Sequence, residues 1–312
     1  MKLNKPKFWE QGYWIIPFFL LPLTLLLSLV IYFKKKFTKP LKFNTYVICV
    51  GNIYVGGTGK TPAAVLLAKE FTKLGKKTAI VRKYYQNHLD EHKLITKNFK
   101  NLILNKNRQD AIIEFQDKYD VMFLDDGFQD YSIKKNLNII CFKDNQLLGN
   151  GFTLPSGPLR EKLSSLKEAH IILINGAKNL DFEKKLLNIN HKLKFFYSSF
   201  KPINVEQFKN KNLLAIAGIG NPENFFQLLE QNNIKIKKKL IFPDHYEFTN
   251  NDINYILKLT KENNYHIVTT EKDFYKIKEP DNKMFKFLKI SLEIEKKEEL
   301  IDLIINSYNE NT

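Results

Sequence analysis

From Trp14 to Phe33 no charged residue interrupts the chain (WIIPFFLLPLTLLLSLVIYF). About 20 apolar residues suffice for a helix to cross the hydrocarbon core of a bilayer. Pro17 and Pro22 kink such a helix without forbidding it. Trp9, Tyr13 and Trp14 crowd one end, and Lys34, Lys35, Lys36 and Lys39 follow the other, as interfacial aromatics and basic flanks do. The run is too long for a signal peptide and ends on no small-residue cleavage site. A buried core helix and a helix lying in the membrane interface are the alternatives to a full span. Lysines flank both ends, so charge favours a cytoplasmic C-terminal side only weakly.

Beyond residue 45 the pattern changes to short apolar runs separated by helical periods. Tyr46–Val50, Thr78–Val81, Leu102–Leu104, Val121–Leu124 and Asn138–Phe142 read as strands. Residues 62–74 carry Ala63, Leu66, Leu67 and Phe71 at helical spacing, whereas 82–93 are polar and irregular. Strands alternating with helices predict a parallel α/β sheet. Gly149, Gly151, Pro155, Gly157 and Pro158 mark a long loop over 143–165 and a domain boundary. A second series follows, with strands near 170–174, 194–199, 213–217 and 266–270 and helices over 222–232 and 251–263. The fold class is therefore α/β, with two α/β domains: an N-terminal membrane helix and basic linker over 1–43, a first domain over 44–165 and a second over 166–312.

Composition narrows the partners. The 312 residues carry a formal charge of +16 and are 44% hydrophobic, enough apolar material for two cores and too much for a disordered chain. Phosphate-rich ligands, nucleic acid or an anionic membrane surface suit that charge. Part of it reflects a Lys- and Asn-rich composition of the kind an AT-rich genome favours. Against that background Arg82, Arg108 and Arg160 stand out, since a retained arginine points to planar, bidentate contacts that lysine does not make. Cys49 and Cys141 lie in apolar strand runs with no metal-binding or disulfide spacing.

The most specific local signal is Gly51-Asn-Ile-Tyr-Val-Gly-Gly-Thr-Gly-Lys-Thr61, set between a strand and a helix. Tyr54-Val55-Gly56-Gly57-Thr58-Gly59-Lys60-Thr61 aligns with the phosphate-loop pattern G-x-x-x-x-G-K-T, with Tyr54 in place of the first glycine. Backbone N–H groups of such a loop cradle phosphates, the lysine reaches the β and γ phosphates, and the threonine hydroxyl holds Mg²⁺. An acidic pair after a buried strand completes a site of this kind, and Asp125-Asp126 follows Val121–Leu124. These two elements predict an enzyme that uses ATP or GTP.

Several further motifs occur in order: Asp125-Asp-Gly-Phe-Gln-Asp130, Gly149-Asn-Gly, Leu154-Pro-Ser-Gly-Pro-Leu-Arg-Glu161, Ala217-Gly-Ile-Gly-Asn-Pro-Glu223, Phe242-Pro-Asp-His-Tyr246 and Thr269-Thr-Glu-Lys-Asp273. With the phosphate loop, the series resembles the tetraacyldisaccharide 4′-kinases of lipid A biosynthesis over nearly the whole chain. The resemblance implies two α/β domains, the first of P-loop kinase type, with the active site in a cleft between them. It implies transfer of phosphate from ATP, with Mg²⁺, to the 4′-hydroxyl of tetraacyldisaccharide 1-phosphate, giving lipid IVA, at the cytoplasmic face of the inner membrane. Lys60 and Thr61 then take the phosphate and metal roles. Asp125 and Asp126 match the acidic pair, and Glu161 joins the metal shell. Arg160 meets ATP or substrate phosphate, and Arg108 matches a position near the nucleotide. Asp90, in a remnant of a G-D-E-P segment, matches a catalytic base, and His245 its partner from the other domain. The pattern departs at Asp130, where the family has His, and at Val81-Arg-Lys-Tyr-Tyr85, which lacks the glycines of S-R-G-Y-G. These departures bear on substrate contacts.

Two other readings remain at this stage. A different membrane-associated P-loop ATPase or kinase would keep Lys60, Thr61 and Asp126 but have no use for His245 or the Leu154–Glu161 loop. A nucleic-acid or anionic-lipid binder would explain the charge, yet no nucleic-acid motif is present, and no nucleic-acid partner is expected. The oligomeric state is not legible in the sequence.

Overall fold

The structure, a computed structural model, describes residues 6–9, 14–85, 89–244, 246–277 and 281–311, with the backbone alone at 89–91, 281 and 282. The apolar N-terminal run forms helix α1 (Ile15–Phe37). There follow β1 (Tyr46–Gly51), α2 (Lys60–Lys73), β2 (Thr78–Lys83), α3 (Leu89–Asn98), β3 (Leu102–Asn105), α4 (Arg108–Phe115), β4 (Val121–Asp125) and β5 (Leu137–Lys143). After a long loop come β6 (Ile171–Asn175), α5 (Leu180–Leu187), β7 (Lys194–Pro202), β8 (Leu213–Ala217), α6 (Pro222–Gln231) and β9 (Ile236–Ile241). The chain ends with α7 (Asn250–Glu262), β10 (His266–Thr270), α8 (Glu271–Phe274), β11 (Phe285–Leu288), β12 (Ile290–Ile294) and α9 (Lys297–Asn309).

The strands form an eight-stranded sheet in the order β12-β7-β6-β5-β1-β4-β2-β3 and a four-stranded sheet in the order β11-β10-β8-β9. The central strands β1, β4 and β5 pair in parallel and are buried almost throughout, which is why they read as continuous apolar runs rather than alternating ones. Helix α2 covers β1, β2 and β4 through Ala63, Ala64, Leu67, Ala68 and Phe71, with the Phe71 ring edge-on to Phe123 at 5.7 Å.

Two compact units result. One holds residues 1–83, 101–199 and 292–312, and the other 84–100 and 200–291. The boundary expected at residue 165 is therefore corrected. Strands β6 and β7 extend the first sheet beyond the long loop, and the C-terminal segment returns to the first unit. The segment expected to be irregular over 82–93 instead begins as the end of β2 and enters α3, and residues 84–100 leave the first unit for the second. Helix α3 packs on α8 there.

Helix α1 belongs to the first unit. Pro17 and Thr24 are buried and Leu20, Leu21, Ser28, Ile31 and Lys35 half-buried, a stripe at helical spacing, while large residues such as Phe18, Phe19 and Leu26 are exposed. Thr24 Oγ1 lies 2.7 Å from Ser156 Oγ and accepts from Ser156 N at 3.1 Å. Before the helix, Trp9 Nε1 donates to Pro155 O (3.1 Å) and Asn150 N to Trp9 O (2.8 Å). At the other end Lys35 pairs with Glu168 at 2.5 Å.

Candidate active site

The loop after β1 turns tightly enough to need glycine at two places. A Cβ on Gly51 would come within 2.6 Å of Phe128 Cβ, so this strand end must lack one. Gly59 adopts φ 90°, a left-handed conformation that glycine takes without strain, and caps α2 without any side-chain hydrogen bond. The first N–H groups of α2 thus lack a capping side chain, as an anion-binding helix start requires. Inside the loop, Asn52 is fully buried and donates to Gly56 O (3.2 Å) and Thr58 Oγ1 (3.1 Å), bracing the curve from within. Tyr54 does not open the loop as the usual glycine would. It is buried and bridges to Leu159 in antiparallel fashion.

The register of the parallel sheet sets the acidic pair. Asp125 ends β4 opposite Val50 of β1 and Arg82 of β2. Its carboxylate is fully buried. It accepts from Thr61 Oγ1 at 2.9 Å and 3.2 Å, and Arg82 Nη1 reaches Asp125 Oδ2 and Thr61 Oγ1 together. Asp126 follows at φ 58°, an uncommon conformation for a residue with a Cβ. Its Oδ1 lies 2.8 Å from Arg160 Nη1 and 3.7 Å from Lys60 Nζ. Burial pushes the Asp126 carboxyl up, but Lys60, Arg160 and Arg108 together more than offset this and hold it below the ordinary Asp value. Asn107 accepts from Gln109 N as the N-cap of α4, which sets Arg108 in the first turn. From there Arg108 Nη2 donates to the backbone oxygens of Asp125 (3.2 Å) and Asp126 (2.8 Å).

The Leu154–Glu161 loop is stitched to the phosphate loop. Val55 N donates to Pro158 O (2.9 Å) and Arg160 N to Ile53 O (2.7 Å). Beside them Gln129 Nε2 donates to Asn52 O at 3.0 Å. Glu161 is buried, which pushes its carboxyl above the ordinary Glu value against the lowering influence of Gln129 and Tyr131. Its Oε1 has no hydrogen-bond partner among the described residues. Among those residues no three carboxylate, imidazole or thiolate groups converge as a metal cluster. The Thr61 hydroxyl and the Asp125 carboxylate are oxygen donors of the kind that would suit a Mg²⁺ ion brought by a nucleotide.

The profile of the tetraacyldisaccharide-1-P 4′-kinases, the LpxK family, matches residues 16–309. The chain belongs to that family. Among its relatives is the tetraacyldisaccharide 4′-kinase of Pelagibacter ubique (strain HTCC1062), 36% identical over 320 aligned positions that cover all of both chains. The tetraacyldisaccharide 4′-kinase of Rickettsia canadensis (strain McKiel) is 34% identical over 303 positions, 90% of this chain and 91% of that one. The fold is that of LpxK from Aquifex aeolicus, solved in complex with ATP, with a TM-score of 0.73 at 24% identity over 94% of this chain and 99% of that one.

In this LpxK-family chain the structure gathers Lys60, Thr61, Arg108, Asp125, Asp126 and Arg160 around the ends of β1 and β4 within the first unit, while Glu161, in the same unit, sits against Gln129 and Tyr131. Asp90 is not in that unit. It lies in α3 of the second, with its side chain outside the described residues, and His245 is outside them altogether. Asp90, expected in the first domain, therefore falls in the second unit, and its pairing with His245 lies outside the described residues. Asp130, the departure from the family pattern, is answered locally: Ser132 Oγ donates to its Oδ1 (2.7 Å) and Arg108 Nη1 lies 3.5 Å from its Oδ2. Asn52 and Gln129 are absent from the sequence-derived site. Both sit inside motifs visible in the sequence, but neither is charged, and only the fold shows that they brace the loop.

Proposed function

We propose that this protein transfers the γ-phosphoryl group of ATP to the 4′-hydroxyl of tetraacyldisaccharide 1-phosphate, forming lipid IVA, from the cytoplasmic face of the inner membrane. The family match over residues 16–309 carries this reading, and the phosphate loop with its Thr61–Asp125 pair supports the donor half. Lys60 and the opening turn of α2 bind the β and γ phosphates. Mg²⁺, when bound, would neutralise charge developing on those phosphates; Thr61 and Asp125 would hold it, with Asp126 and Glu161 as the further carboxylates of the motif set. Arg160 and Arg108 position phosphate groups and keep the Asp125–Asp126 turn in shape. Asp90 accepts the proton of the sugar hydroxyl, and His245 orients that carboxylate, since an unactivated hydroxyl is a poor nucleophile. The apolar α1 and the lysines after it keep the protein at the surface where an anionic lipid substrate resides.

The test is transfer of label from γ-labelled ATP to tetraacyldisaccharide 1-phosphate in detergent micelles. The wild type is expected to label the lipid. Lys60→Ala is expected to reduce the rate by on the order of 10²–10³-fold, as loss of a charge stabiliser at a transferring group does. His245→Ala is expected to lower turnover on the order of 10²-fold with nucleotide affinity retained. Nucleotide binding without labelled lipid in the wild type points to a different acceptor.

A further inference from the structure

Arg82 does more than the sequence suggests, and its position is unusual for a cation. It stands opposite Asp125 in the β2–β4 register, so both side chains leave the sheet on one face. Its Nη1 touches Asp125 Oδ2 and, at 3.2 Å, Thr61 Oγ1. Thr61 Oγ1 in turn lies 2.9 Å from the same carboxylate oxygen. One nitrogen therefore lies against both oxygens that the phosphate-loop reading assigns to Mg²⁺. The Thr61 hydroxyl gives its proton to Asp125 and accepts from Arg82, so a lone pair that a metal would use is engaged.

We propose that Arg82 is the stand-in cation of the metal position: it holds Thr61 and Asp125 in the Mg²⁺-free protein and is displaced from them when Mg²⁺ enters with the nucleotide. Asp125 is fully buried, and a buried carboxylate without a cation is costly. Arg82 removes that cost while the metal is away, and the guanidinium plane lets one nitrogen serve two oxygens. Guanidinium and Mg²⁺ exclude each other at the same pair of oxygens, so Arg82 sets the metal affinity by competition. Only three of the 49 basic residues are arginines; of the other two, Arg108 touches the backbone oxygens of Asp125 and Asp126 and the Asp130 carboxylate, and Arg160 touches the Asp126 carboxylate. This inference rests on the nucleotide–Mg²⁺ reading of the site.

The test is Mn²⁺ binding to the full chain in detergent micelles with ADP, read from the spin-resonance signal of free Mn²⁺, in the wild type, Arg82→Gln and Arg82→Lys. Arg82→Gln is expected to bind Mn²⁺ on the order of tenfold more tightly. Arg82→Lys keeps the charge and is expected to stay within about threefold of the wild type. Melting temperature supplies a second readout: Arg82→Gln should melt below the wild type in EDTA, and saturating Mg²⁺–ADP should close most of that gap. Unchanged Mn²⁺ affinity with an equal melting deficit in both conditions would make Arg82 a plain structural anchor and overturn the proposal. Weaker Mn²⁺ binding in Arg82→Gln would also overturn it, making Arg82 a support of the metal-bound site. No Mn²⁺ binding by the wild type, with or without ADP, defeats the phosphate-loop reading itself. Should Arg82→Gln fail to fold, ¹⁵N-arginine spectra of the wild type decide: the Arg82 side-chain signal, assigned with Arg82→Lys, must shift between ADP with EDTA and ADP with Mg²⁺, and a signal that does not move refutes displacement.

Discussion

At the scale of single residues, Glu161 and Asp126 show how two carboxylates are set to opposite tasks by their surroundings. Asp126 meets Lys60 and Arg160 and stays ionised. Glu161, set against Gln129 and Tyr131, is buried with Oε1 unpartnered among the described residues, and burial pushes its carboxyl above the ordinary Glu value. A raised acid in the folded state binds its proton more tightly than in the unfolded chain. Its favourable contribution is complete below the unfolded value and lost as pH rises through the folded one. Glu161→Gln is therefore expected to melt above the wild type at pH 7.5, with the advantage shrinking as pH falls toward about 4.5, while kinase activity drops. Thermal melts of both proteins across that range check it, and a constant difference at every pH would refute the titration argument. Asp126 works in the other direction: its depressed value favours folding above the ordinary Asp range and loses that contribution only as pH falls below about 4. The sequence made both carboxylates visible through their motifs. It did not separate their environments, because those depend on Arg160 and Gln129 arriving from different loops.

At the scale of elements, one loop serves two masters. Residues 150–161 hold α1 through Ser156, and Trp9 ahead of it through Pro155 and Asn150, and the same loop pairs with the phosphate loop through Tyr54 and Leu159. Docking of the N-terminal helix and the shape of the nucleotide site are thus mechanically joined. Thr24→Val removes the acceptor of the buried Ser156 N–H, a loss of about 1–3 kcal/mol. It is expected to lower the melting temperature and to weaken ADP binding several-fold, measured by calorimetry in detergent. Unaltered ADP affinity with lowered stability would show that the loop does not transmit the change. Legibility at this scale followed burial. The strands β1, β4, β5 and β8, buried on both faces, appear as plain apolar runs and were readable to within a residue or two. Helix α3 (LDEHKLITKN) is mostly polar and α4 only eight residues long, so neither carries a clear period. Strand β9 (IKKKLI) alternates in burial, but three consecutive lysines, 237–239, occupy both faces and hide the period in the sequence. The return of β12 and α9 to the first unit is a long-range pairing, and nothing local encodes it. Cys49 and Cys141 met expectation: both are buried, with thiols pushed up to about 12 by burial.

At the scale of the whole molecule, the placement of α1 sets how the protein would meet a membrane. Its 23 residues span about 34 Å, comparable to the ~30 Å hydrocarbon core, so length alone permits a crossing. Contacts argue otherwise. Trp9, just before the helix, bonds to Asn150 and Pro155, while Lys35 near its end pairs with Glu168, all in one compact unit. A helix crossing the bilayer would have to carry part of that polar unit into hydrocarbon, where unpaired backbone groups are not tolerated. A helix lying in the interface keeps the Pro17–Thr24–Lys35 stripe on the protein and gives Phe18, Phe19 and Leu26 to the acyl chains. The two readings differ in where the ends lie. Both native cysteines are buried, so a single introduced thiol reports alone. Lys7→Cys and Lys39→Cys, both at exposed positions flanking α1, should react with a membrane-impermeant maleimide from the same side in sealed inner-membrane vesicles of known orientation. Reaction of the two from opposite sides would establish a span. The lysines after the helix add a second, independent readout. Replacing Lys34, Lys36 and Lys39 with Gln should reduce binding to vesicles containing anionic lipid by on the order of 10²-fold, at about 1 kcal/mol per charge, with little change on neutral vesicles. Equal loss on both kinds of vesicle would place the affinity in the apolar face of α1 alone.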